Sequence, residues 1–247
     1  RLEYQLIPAH QINRPTLVLL HEGLGSVAMW RDFPARLAAA TGCRTLVYSR
    51  YGYGQSDLLQ EPFGTDYMHR EGRETLPEVL AALEIENPVL VGHSDGASIA
   101  LLHAAKFRER TAGAIVLAPH ILVEELSVAS IAKAKTAYET TDLKQRLAKY
   151  HDDPDSAFWG WNRIWLHPPF KQWSIEEEIS SIACPLLAVQ GLDDEYGTLE
   201  QIRGIARRVP QTRLLEIPAC GHSPHKDQPE ALLSASTHFI RSHGDKT

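Results

Sequence analysis

Val89-Leu90-Val91-Gly92-His93-Ser94-Asp95-Gly96-Ala97 is the stretch on which the reading of this chain turns. An apolar run leads straight into Gly-x-Ser-x-Gly, and a helical pattern follows from Ser94 to about Lys106. The triplet alone is a weak signal. Between a buried strand and a helix it becomes the pattern of a nucleophile elbow, with the serine on a strained turn. Gly92 and Gly96 would let strand and helix pass closely without Cβ clashes. The Asp95 N–H would lie at the helix N-terminus, where it can donate to an anion. The plain alternative is a glycine-rich turn with a passive serine.

Working outward, further short apolar runs read as buried strands: Thr16–Leu20, Thr45–Tyr48, Ala114–Leu117, Leu186–Val189 and Arg213–Ile217. Most are apolar throughout rather than alternating, as expected for strands covered on both faces. Between them lie amphipathic patterns. Leu76, Val79, Leu80 and Leu83 repeat at helical spacing, and helices also fit Leu199–Arg207 and Pro229–Phe239. Alternating strand and helix predicts an α/β fold with a mostly parallel sheet. The alternation lapses between about Ile121 and Cys184, where Val123–Tyr138 and Asp142–Tyr150 read as helical and Phe158–Trp173 is crowded with aromatics. This predicts a core formed by residues 1–120 and 185–247, with a helical cap inserted at 121–184.

A serine hydroxyl needs a base, and the base needs a carboxylate to hold its tautomer. Leu186–Val189 runs into Gln190-Gly191-Leu192-Asp193-Asp194-Glu195. Asp194 is the expected acid, Asp193 the runner-up, and a solvated acidic loop accounts for the rest. The last strand runs into Pro218-Ala219-Cys220-Gly221-His222-Ser223-Pro224-His225. His222 is the expected base and His225 its competitor. The first buried strand ends in His21-Glu22-Gly23-Leu24-Gly25, a loop suited to a second oxyanion donor. The N–H of Gly23, or less directly Leu24, would join that of Asp95. A plain βα loop is the alternative.

Composition excludes several function classes. The chain has 247 residues, enough for one large domain, with 43% hydrophobic and 23% charged residues. Net charge is −6 without a basic block, which argues against nucleic acid and anionic membrane surfaces as partners. No stretch approaches the ~20 apolar residues of a membrane span. Arg1-Leu2-Glu3-Tyr4 carries no signal-peptide pattern, and Cys43, Cys184 and Cys220 lack metal-ligand spacing. A reduced, cytoplasmic protein without a metal is expected.

With these motifs in order, the chain resembles the α/β-hydrolase superfamily along nearly its whole length. The resemblance rests on His21-Glu22-Gly23, Arg50-Tyr51-Gly52-Tyr53-Gly54-Gln55-Ser56-Asp57, Gly92-His93-Ser94-Asp95-Gly96, Gly191-x-x-Asp194 and Gly221-His222. It implies an eight-stranded, mostly parallel sheet with helices on both faces, a cap over the site, and no cofactor. Members that keep serine include carboxylesterases, lactonases, C–C bond hydrolases and thioesterases. Glu22 departs from the family's frequent His-Gly-x pattern.

The expected function is hydrolysis of small carboxylic esters, with a small-molecule ester and, at most, a second copy of the chain in a homodimer as partners. A C–C bond hydrolase or enol-lactonase of aromatic catabolism is the alternative enzyme. A non-catalytic small-ligand receptor on the same fold is the alternative of another class. Phe158, Trp161 and Trp165 share one helical face and read as packing. Trp159, off that stripe, is the better pocket candidate, with Trp161, Leu24 and Glu22 beside it. Ser-Asp-Gly at the elbow also resembles α-amino-acid ester hydrolases. In that reading Asp95 receives a cationic substrate group and Glu22 adds to its field; otherwise Asp95 is an acid favoured by the helix dipole.

Overall fold

The computed structural model describes residues 1–11 and 13–243. Seven strands form one sheet: β1 (Tyr4–Ile7), β2 (Leu17–Leu20), β3 (Thr45–Tyr48), β4 (Val89–His93), β5 (Gly113–Leu117), β6 (Leu186–Gly191) and β7 (Thr212–Ile217). Their spatial order is β1-β3-β2-β4-β5-β6-β7. All neighbours are parallel except β1, which pairs antiparallel with β3 in the register Tyr4↔Tyr48.

The expected eight strands are therefore seven among the described residues. The stretch between β1 and β2 contains Pro8 and Pro15 among mostly polar residues. Proline cannot donate to a ladder, so this stretch is a poor strand, and none of its described residues joins the sheet. β1 had no sequence signal because it is an edge strand facing water; Tyr4 is 56% exposed.

The buried strands sort their side chains by the two-residue period of a pleated sheet. Val18, Leu20, Leu46, Leu90 and Val116 belong to the core on one face. Leu17, Leu19, Val47, Val91 and Ile115 belong to the core on the other. Both faces are apolar because helices cover both. On the second face lie α1 (Phe33–Thr41) and α10 (Pro229–His243), which contribute Phe33, Leu37, Leu232 and Phe239 to that core. The first face is covered by α2 (Tyr67–Arg70) and α3 (Leu76–Ala82), joined by a π-turn at Glu71–Thr75, and by α4 (Asp95–Lys106). Helix α8 (Glu200–Arg208) adds Ile202 and Ile205 to the same core. A short helix, α9 (Pro224–Asp227), precedes α10.

Between β5 and β6 the chain is helical: α5 (Glu125–Thr140), α6 (Leu143–Leu147) and α7 (Pro154–Trp165), followed by two 3-10 turns. β5 and β6 remain direct neighbours, so this long excursion leaves the sheet unbroken.

The strand order reverses between β2 and β4. The chain leaves β2 toward β3 on one side and leaves β4 toward β5 on the other. In a parallel sheet this opens a crevice at the strands' carboxyl ends, where ligands bind. The loop starting at His21 and the turn at Ser94 flank that crevice. Among the described residues no helix is long and apolar enough to cross a membrane.

Candidate active site

Ser94 stands between β4 and α4 with φ 52° and ψ −116°. A non-glycine residue in that region costs about 1–3 kcal/mol and persists only where its surroundings impose it. Here they do. The Ser94 N–H donates to the Leu117 carbonyl at 2.9 Å, and its carbonyl accepts the Ala97 N–H at 2.9 Å, so both ends of the turn are fastened. Gly96 makes the turn sterically feasible: a Cβ there would run into the Leu20 carbonyl at the end of β2. The elbow thus presses against the loop that follows β2.

His222 arrives on the loop after β7. Its Nε2 lies 3.0 Å from Ser94 Oγ, and its Nδ1 lies 2.9 Å from Asp194 Oδ1. Gly191, the last residue of β6, brings acid and base loops together, since a Cβ there would collide with the Cys220 carbonyl. Asp194 also accepts the Tyr196 N–H at 2.9 Å and the Gln190 side-chain amide at 3.1 Å. Burial works against its charge, but the hydrogen bonds from His222 and Tyr196 outweigh burial and hold the carboxyl below its ordinary range. An ionised Asp194 accepting from Nδ1–H leaves Nε2 free to take a proton from Ser94.

The runner-up acid, Asp193, is exposed, and its backbone N–H is used on the Cys220 carbonyl. The competing histidine, His225, is buried against Trp30 and His93, with ring centroids 4.9 and 5.0 Å away. Burial pushes its pKa down to about 2, so it is a neutral packing residue. His93 ties the base loop down by donating from Nε2 to the His222 carbonyl at 2.7 Å.

The oxyanion candidates follow the ends of two neighbouring parallel strands. β2 and β4 pair with Leu20 opposite Gly92, so Gly23 and Asp95 each follow three residues beyond paired positions. Neither N–H donates to a partner among the described residues. Two fixed donors of this kind, aimed at a developing negative charge, can stabilise a tetrahedral intermediate by several kcal/mol.

The Asp95 side chain has a different environment from its amide. It is 1% exposed and accepts from Tyr67 OH at 2.6 Å and from Trp165 Nε1 at 3.2 Å. Arg50 Nη2 stands 3.9 Å away and is equally buried. Burial raises the Asp95 pKa, against the pull of Arg50, Tyr67 and Trp165. Glu22 turns its carboxylate toward His93, 3.5 Å away, and Lys226, 3.8 Å away. Each acid considered as a cation receptor is thus occupied by groups of the protein itself.

Of the aromatic candidates, Trp161 reaches the site: its Nε1 edge lies where a Cβ on Gly23 would go. Leu24 is partly buried against the apolar cluster that includes Trp161. Trp159 instead meets Tyr138 and Phe158 edge-on and carries Arg163 over its ring at 5.5 Å. Arg50, Tyr67, Trp165 and His120 were not among the sequence-derived candidates. His120 packs between Trp165 and His222, with centroids 4.9 and 5.9 Å away. Only the glycine-rich motif starting at Arg50 offered a signal for any of them.

Among the described residues no group of three or more His, Cys, Asp or Glu is placed to hold a metal ion. The three cysteines are buried free thiols.

Comparison with known proteins places this geometry in a family. The chain is 23% identical to a 2-hydroxy-6-oxo-6-phenylhexa-2,4-dienoate hydrolase of Burkholderia cepacia, over 91% of this chain and 87% of that protein. It is 20% identical to a proline iminopeptidase of Lactiplantibacillus plantarum, over 97% and 96%. A carboxylesterase structure from the thaumarchaeon Nitrososphaera gargenis superposes with a TM-score of 0.80 at 16% identity, covering 100% of this chain and 96% of the other. The model of the alpha/beta hydrolase family matches residues 17–235, and the chain belongs to that family.

Proposed function

We propose that the protein is a serine hydrolase that cleaves small carboxylic esters through an acyl-enzyme on Ser94. The observation that carries this reading is the continuous chain from Ser94 Oγ to His222 Nε2 at 3.0 Å and from His222 Nδ1 to Asp194 at 2.9 Å. His222 takes the hydroxyl proton as Oγ attacks the ester carbonyl carbon. The carbonyl oxygen becomes an oxyanion and accepts from the N–H groups of Gly23 and Asp95. Protonated His222, stabilised by Asp194, then gives its proton to the leaving alkoxide as the C–O bond breaks. Water, deprotonated by the same imidazole, attacks the acyl-enzyme, and Ser94 leaves with the proton. Residues 121–184 serve as the cap, with Trp161 as the wall of the pocket beside Gly23.

A second reading is a C–C bond hydrolase or enol-lactonase. The Burkholderia cepacia relative, named for a 2-hydroxy-6-oxo dienoate, favours it. The same serine, base and oxyanion donors would act there on a ketone or enol lactone.

The test is a panel of p-nitrophenyl esters of rising acyl length, run beside Ser94→Ala and beside a 2-hydroxy-6-oxo dienoate. Ester turnover is expected, with a loss on the order of 10⁶ in kcat for the variant. Dienoate cleavage far faster than any ester would transfer the assignment to the second reading, and no turnover of either would overturn both.

A further inference from the structure

One buried guanidinium touches both sides of the crevice. Arg50 follows β3, is 1% exposed, and donates from Nη2 to the Glu22 carbonyl at 3.0 Å. The same Nη2 stands 3.9 Å from Asp95 Oδ2. Glu22 C=O and Gly23 N–H belong to a single peptide unit. In a trans peptide the two groups point in opposite directions, and the described residues contain no cis bond. Whatever holds the Glu22 carbonyl therefore aims the Gly23 N–H the other way.

Three donors hold it. Besides Arg50 they are His21 Nδ1 at 2.7 Å and the Gly25 N–H at 3.0 Å. Arg50 also sets the His21 ring: its own backbone N–H donates to His21 Nε2 at 3.0 Å, which leaves the ring proton on Nδ1 for Glu22. Donation to a carbonyl polarises the whole amide and strengthens its N–H as a donor. A cationic donor does so most strongly.

We propose that Arg50 is the positioning residue of the oxyanion hole: through Nη2 it orients and polarises the Glu22–Gly23 peptide and anchors the side chain of Asp95, so both amide donors depend on it. Ion pairing alone would require only the Asp95 contact. The hydrogen bond from Nη2 to the Glu22 carbonyl is what ties the guanidinium to the donor that follows β2.

This inference rests on the ester-hydrolase reading, and its experiment separates the two. The p-nitrophenyl ester turned over fastest serves as substrate. A trifluoromethyl ketone of the same chain length mimics the oxyanion, and an ether isostere without the carbonyl reports ground-state binding. Arg50→Lys keeps the charge and loses the planar fork. Arg50→Met/Asp95→Asn removes the two charges of this pair together, leaving the buried Glu71, which also feels Arg50, as the acid nearby. Each folded variant should lose about 10²-fold in kcat. The ketone Ki should rise by the same factor, while KM and the ether Ki stay within about threefold, a split that a general loosening of the fold would not produce. Unchanged kcat in either folded variant, or ether binding that weakens in step with kcat, overturns the role of Arg50 and leaves the Ser94 reading standing. A wild-type protein that turns over no ester overturns that reading instead.

Discussion

Trp165 Nε1 donates to Asp95 Oδ1 at 3.2 Å, joining a helix inserted between β5 and β6 to the residue beside Ser94. With Tyr67 and Arg50 on its other oxygen, Asp95 has its charge matched inside the protein. A substrate ammonium arriving next to Ser94 would find this carboxylate occupied. Aminoacyl p-nitrophenyl esters should therefore be turned over no faster than their N-acetylated counterparts. Competition kinetics on matched pairs checks this, and a preference above about tenfold for the free amine would restore Asp95 as a cation receptor.

The same enclosure makes Asp95 costly to alter. Asp95→Asn takes from buried Arg50 the carboxylate 3.9 Å away and leaves it only the buried Glu71, and breaking a buried pair from one side costs roughly 3 kcal/mol or more. Urea denaturation should show that loss. A variant as stable as the wild type would mean that Arg50 finds its compensation elsewhere.

The two adjacent acids after β6 should separate cleanly. Asp194→Asn keeps the shape but lets the imidazole take the wrong tautomer, so kcat should drop by about 10⁴. Asp193→Asn, on an exposed side chain, should stay within twofold. Comparable losses in both would remove the structural basis for choosing Asp194.

Trp161 and Gly23 should be coupled. A methyl at Gly23 would collide with the indole Nε1 edge, so Gly23→Ala should displace Trp161 or the oxyanion loop and lower kcat/KM by at least tenfold. Trp161→Leu opens the space, and the double variant should recover most of the loss. A double-mutant cycle measures this coupling. Additive losses would show that the two residues act independently.

Acid should weaken the fold well above the carboxylate range. His225, His120 and His103 have pKa values pushed down to about 2, 3 and 4, in each case mainly by burial. The unfolded chain protonates these rings near pH 6.5 while the folded chain does not. Stability therefore falls as pH drops below about 6.5, by up to roughly 1.4 kcal/mol per pH unit for each ring. Asp194 acts at lower pH: its depressed folded pKa gives stability that is present above the unfolded carboxylate pKa and lost as pH falls toward the folded value. The urea midpoint should be clearly lower at pH 5 than at pH 7, with a smaller drop in His225→Phe. A flat profile would contradict the buried neutral rings.

Much of this was legible in the sequence because it is locally written. Five strands are buried apolar runs and the sixth, β7, is a half-exposed edge run; Ser94, Asp194 and His222 each follow the end of a strand, so order along the chain maps onto position along one edge of the sheet. β1 escaped because its side chains face water and its pairing depends on β3, 38 to 44 residues away. Arg50, Tyr67 and Trp165 escaped for a related reason. How a buried carboxylate is satisfied is settled by segments far apart in the chain: Tyr67 lies 28 residues before Asp95 and Trp165 lies 70 after it. The helical stripe of Phe158, Trp161 and Trp165 announced packing, but no periodicity says that two of its indoles will stand at Gly23 and Asp95.

The central claim is that Ser94 is the nucleophile, and covalent capture tests it most directly. The protein is incubated with a fluorophosphonate, and the adduct is located by intact-mass and peptide mass spectrometry. The account predicts one adduct per chain, on the peptide carrying Ser94, absent in Ser94→Ala and formed far more slowly in His222→Ala. An unlabelled wild-type protein, or an adduct on any residue other than Ser94, would contradict it.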